Sequence, residues 1–137
     1  MWIFYALLSA FFASLTAIFA KIGVKDINSD LATAIRTVVI LILAWSITFF
    51  RGSITSIGTI TKHTWLFLIL SGIATGLSWL FYFRAIQLGD ISKVAPIDKL
   101  SVALTIILAI VFLKEPISAK EIIGAGLIIG GSLVLIL

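Results

Sequence analysis

The chain has 137 residues, of which 61% are hydrophobic and 12% charged, and its mean hydropathy is +1.26. A soluble domain carries about 25% charged residues, so a soluble globular fold is excluded, and with no cysteine so are disulfides, thiol catalysis and cysteine metal sites. The net charge of +4 sits almost wholly in short connecting segments, where basic residues anchor helices at lipid headgroups, and no surface suited to nucleic acid is expected.

An apolar run of 18 or more residues reads as a membrane-spanning helix. Five such runs follow one another: residues 2–20, 31–50, 65–83, 94–113 and 122–137, the last extended through the headgroup layer by residues 117–121. At 1.5 Å per residue each is long enough to cross about 30 Å of hydrocarbon. The runs lack the period-two alternation of a β-barrel. The first has no basic segment before it and no small-residue cleavage site after it, so it reads as a span and not as a signal peptide. The expected fold is therefore an all-α, multi-pass protein of the cell membrane (plasma or inner membrane), one domain of five transmembrane helices in contact with the lipid bilayer.

The connections are short. Residues 21–30 contain Gly23, Asn28 and Asp30, with Asp30 expected to cap the second helix. Residues 51–64 are rich in Ser, Thr and Gly and form the longest loop. Residues 84–93 hold the turn signal Gly89-Asp90, and residues 114–120 hold Pro116 and Ser118. No internal repeat is visible. Any pseudo-symmetry must then come from a second chain.

An odd number of spans puts the two termini on opposite faces of the bilayer. The N-terminal side receives Arg51, Lys62, Lys114 and Lys120, and the opposite side receives Lys21, Lys25, Arg84 and Lys93. Arg36 and Lys99, a few residues inside their spans, tip the balance toward the opposite side. Basic residues favour the cytoplasmic face. A margin this small leaves insertion in both orientations open, with head-to-tail pairing of two copies as its consequence.

Small residues at spacing four let helix backbones approach closely in lipid. Gly72 and Gly76 make such a pair in the third span, and Gly126 and Gly130 make another in the fifth. Packing within one subunit is the first expectation for both, and the glycine stripe of the fifth span is the better candidate for a subunit interface.

Charge at the centre of a span costs roughly 2.5–3.5 kcal/mol on insertion scales. Arg36, Asp98 and Lys99 are the clear cases. Arg36 and Lys99 are long enough to snorkel to the headgroups. Asp98 is not, and needs a partner, water or a proton. Lys99 points about 100° away from it on an ideal helix, which leaves Arg36 or Arg84 as possible partners. Pro96, two residues earlier, either breaks the fourth span and frees a carbonyl or occupies its first turn. Trp79 and Tyr82 line a cavity wall or belong to an interfacial belt. His63 stands alone in a loop. No catalytic constellation, metal cluster or cofactor motif is present, so an enzyme is not expected.

From Trp79 onward the chain resembles one repeat of the EamA family, within the drug/metabolite transporter superfamily. The resemblance rests on Tyr82 and Ala85 in YFRAI, on APIDKLS at Ala95–Ser101, on LKEP at Leu113–Pro116, and on the IIGAGLIIGG helix from Ile122. Members of that family typically carry two five-helix repeats of inverted topology around a central substrate path. The resemblance therefore implies a half-length member that needs a second copy or a related half, and it places Pro96, Asp98 and Lys99 near the path. Related small multidrug-resistance proteins use a glutamate in the first helix, whereas residues 2–20 here hold no acid. The expected function is transport of a small polar or amphipathic metabolite by alternating access, as an antiparallel homodimer. The alternatives are a half-transporter or a lipid or lipid-linked sugar flippase subunit with a different partner chain, and a non-transporting membrane assembly protein.

Overall fold

The computed structural model describes residues 1–137. It contains α1 (Trp2–Gly23), α2 (Ser29–Phe50), a short 3₁₀ helix (Ser53–Thr59), α3 (Lys62–Leu88), α4 (Ile91–Asp98), α5 (Ser101–Leu108), a π-helical turn (Ala109–Leu113) and α6 (Ala119–Ile136), with no strand. α4, α5 and the π-helical turn form one span, so five apolar segments of 22, 22, 27, 23 and 18 residues are long enough to cross a bilayer. The protein is an all-α, multi-pass membrane protein, as its hydropathy pattern predicts.

The helices run past the apolar runs that announce them. Hydropathy marks the part immersed in hydrocarbon, whereas caps and side-chain hydrogen bonds decide where a helix stops. α3 continues through Arg84 and Gln87, so the expected loop of residues 84–93 shrinks to Gly89 and Asp90. The cap of α2 is Asn28 and not Asp30: extended at φ −60° and ψ 133°, its carboxamide oxygen accepts from the Asp30 and Leu31 amides at 2.8 and 3.2 Å. Asp30 instead occupies the first turn, where its charge complements the helix dipole. α6 starts with a reciprocal capping box, Ser118 Oγ accepting from the Glu121 amide while Glu121 accepts from the Ser118 amide.

Two compact units divide the chain: residues 19–87, and residues 1–18 with 88–137. In the first, burial is concentrated where the end of α1, the start of α2 and the end of α3 contribute Ala20, Val24, Ser29, Ala32, Thr33, Phe83 and Ile86. In the second, α6 lies against both α4 and α5. Ser132 is buried there, and Ala125 and Ile129, seven and three residues earlier, are half-buried, which defines the inward face of α6. Elsewhere the spans expose large apolar side chains along their length. Such surface is stable only against lipid or another apolar helix.

Candidate functional site

The fourth span is interrupted in its interior. Pro96 is the sixth residue of α4, beyond the first turn, and it has no N–H to offer the Ser92 carbonyl. The α-helix ends two residues later. Across the break the backbone tightens to i→i−3 hydrogen bonds, from Lys99 to Pro96 (3.1 Å), Leu100 to Ile97 (2.9 Å), Val102 to Lys99 (3.0 Å) and Ala103 to Leu100 (3.1 Å). This geometry changes the outlook for Asp98. On a continuous helix its neighbour would diverge, but in the turn Lys99 Nζ reaches Asp98 Oδ2 at 3.5 Å. The pair is partly open, with side chains 58% (Lys99) and 39% (Asp98) exposed. Arg36 and Arg84, the possible partners of Asp98, both belong to the other unit, where Arg36 stacks on Trp79 and Arg84 donates to Gln87.

Arg36 stands seven residues into α2, roughly 10 Å from its start. Its guanidinium carbon lies 3.3 Å from the centroid of the Trp79 ring and 5.5 Å from that of Phe83. Trp79 in turn meets Tyr82 edge-on (5.6 Å, 76°) and Phe83 at a tilt (5.8 Å, 60°). Trp79 and Phe83 are four residues apart on α3 and share one face. Arg36 thus rests on an aromatic platform. The ring quadrupole offsets part of the penalty for its charge. Trp79 and Tyr82 are half-buried.

The same unit holds a polar clamp that hydropathy does not reveal. The Gln87 amide donates to the Val24 carbonyl at 3.0 Å and to the Ile27 carbonyl at 2.7 Å, while Arg84 donates to Gln87 Oε1 at 2.9 Å. Lys21 donates to the Ile86 carbonyl. These acceptors include carbonyls left unpaired at the ends of α1 and α3, and a cation is favoured at a helix C-terminus. Gln87 carries no signal in the sequence because it falls beyond the apolar run. A cavity of about 460 Å³ lies on this unit between Asn28–Asp30 and Leu80, Phe81 and Arg84.

The glycine pairs take no part in close packing within their own units. A Cβ placed on Gly72, Gly76, Gly126 or Gly130 would meet nothing within 4 Å. In α6 the reason is rotational: Ala125, Ile129 and Ser132 face inward, and Gly126 and Gly130 lie on the adjoining exposed face. No group of His, Cys, Asp and Glu is arranged to hold a metal ion.

Comparison with known proteins agrees with this architecture. The EamA-like transporter family matches over residues 1–137. A relative from Sinorhizobium sp., described as an uncharacterized transporter in the cobO 3′ region, is 56% identical over 117 residues, which cover 85% of this chain and 83% of the relative. The two are therefore of similar length. No solved structure matches. The match along the whole chain and the 56% identical relative, together with five apolar helices long enough to cross a bilayer, show that this protein belongs to the EamA-like transporter family and is a membrane transporter.

Proposed function

We propose that two copies of this chain, inserted in opposite orientations, form one transporter that moves a small polar or amphipathic metabolite by alternating access. The interrupted fourth span carries the reading. Irregular backbone and charge at membrane depth are tolerated where they meet protein or a water-filled path, and discontinuous helices are a recurrent way of building substrate sites in transporters with inverted repeats. Asp98 and Lys99 form the polar station of one unit and Pro96 creates the break that presents them. Arg36, with Trp79 and Tyr82, forms the station of the other.

The need for a second copy is supported by the uncovered Gly126–Gly130 face, by basic residues divided almost evenly between the two sides, and by a relative of similar length. The experiment is reconstitution of the purified chain alone in liposomes, with two differently tagged copies expressed together. Co-purification of the tags and solute movement above protein-free vesicles are expected. A strict requirement for a different membrane protein would favour a heteromeric half-transporter instead.

A further inference from the structure

We infer that Arg36 binds the carboxylate of the transported solute, so that the substrate class is carboxylate-bearing small metabolites. This rests on the transport reading above and specifies its chemistry.

The guanidinium of Arg36 uses its face and leaves its edge open. Stacking at 3.3 Å on Trp79, with Phe83 at 5.5 Å, occupies the π surface of the group. The five N–H donors of an arginine point outward in its plane, away from the ring face on which the group is stacked. None of these nitrogens is a buried orphan, so the donors remain open to a solute approaching from outside the unit. The same side chain, held flat by an aromatic wall, is oriented in advance for a planar, two-oxygen acceptor. Arg36 is thus a charged fork laid against an aromatic wall, with its donors reachable from outside the unit.

Charge and shape narrow the choice of partner. A single fixed positive charge is balanced by a single negative one, and a carboxylate supplies it with two coplanar oxygens. A phosphate dianion would leave excess negative charge in a site where the unit offers one guanidinium at this depth. Arg84, five residues or about 7.5 Å along α3 from Trp79, turns its guanidinium to Gln87, and Lys21 donates to the Ile86 carbonyl. Trp79 and Tyr82 offer apolar surface beside the fork, which suits a solute with a short carbon or aromatic portion next to its carboxylate.

The test uses the full chain in vesicles of phosphatidylcholine only, so that no anionic lipid competes for Arg36. The probe is a water-soluble metabolite extract, supplied with and without a proton gradient, and solutes taken up beyond protein-free vesicles are identified by mass spectrometry. The expected result is uptake of carboxylates. Arg36→Gln should lower that uptake about tenfold or more, the effect expected for losing hydrogen bonds to a charged group. Arg36→Lys, which keeps the charge and loses the planar fork, should raise KM more than it lowers kcat. If Arg36→Gln is not monodisperse, competition on the unaltered protein decides, because the methyl ester of the identified solute should fail to compete.

Uptake of neutral or cationic solutes only, effective competition by the ester, or an Arg36→Gln variant with undiminished uptake would overturn the carboxylate assignment and leave the transport reading standing. Absence of any uptake by the unaltered chain would overturn the transport reading, and this inference with it.

Discussion

The side-chain amide of Gln87, near the end of α3, donates a 2.7 Å hydrogen bond to the carbonyl of Ile27 in the turn before α2, across sixty residues of sequence. The same amide also reaches Val24. One side chain thereby closes two backbone groups that the end of α1 leaves open, next to the best-buried part of its unit at Val24, Phe83 and Ile86. Replacing Gln87 by Leu keeps most of the volume and removes both donors. An unmet carbonyl costs about 1–3 kcal/mol when buried. Because the Ile27 bond is exposed, the lower part of that range is expected, seen as a fall of several degrees in the melting temperature of the detergent-solubilised protein.

Arg36 and Trp79 should be energetically coupled. Cation–π contacts contribute about 0.5–2 kcal/mol depending on desolvation. A double-mutant cycle of Arg36→Gln and Trp79→Ala, read from unfolding in detergent, should return a favourable coupling within that range. Trp79→Phe should retain part of it, since a smaller ring still presents a face.

Lys114 follows the π-helical turn with φ 54° and ψ 33°, a left-handed conformation that places the amides of Lys114 and Glu115 on the Ala109 carbonyl. A side chain there costs about 1 kcal/mol that glycine avoids. Lys114→Gly should therefore raise the melting temperature or leave it unchanged, and Lys114→Val should lower it, because β-branching is poorly tolerated at positive φ.

Pro96→Ala would restore an N–H for the Ser92 carbonyl and let α4 propagate through Lys99 and Leu100. Amide hydrogen exchange at residues 99–103 should slow as i→i−4 bonds replace the tightened turn. The Asp98–Lys99 contact should weaken, since neighbouring side chains diverge on a regular helix. In reconstituted vesicles, transport should fall although stability rises.

Part of this architecture is legible in the amino-acid sequence, for physical reasons. Hydropathy locates all five spans, because burying a span in lipid demands a long apolar run whatever its neighbours are. Arg36, Asp98 and Lys99 stand out for the same reason in reverse. Their partners do not. Arg36 meets Trp79 through the relative rotation of two helices, which residue spacing does not encode. Lys99 meets Asp98 in the tightened turn that follows Pro96, where an ideal helix would hold them about 100° apart. The caps are partly hidden as well: Asn28 and Asp30 both suit an N-cap, and the choice depends on where the first helical hydrogen bond closes. The glycine pairs are visible as motifs, yet the face they occupy follows from how α6 is turned toward α4 and α5. Gln87 gives no signal, being an ordinary polar residue just outside an apolar window.

The central claim is that one chain supplies both inverted halves of a transporter, and its most direct measurement is orientation in the living membrane. The chain has no cysteine, so single substitutions report without background. Ser56→Cys marks the N-terminal side and Asp26→Cys the opposite side, both at exposed positions in connections between spans. Labelling intact cells with a membrane-impermeant maleimide should modify a substantial fraction of each variant, with the remainder modified only after the membrane is opened. Full labelling of one variant and none of the other would fix a single orientation and contradict the antiparallel dimer.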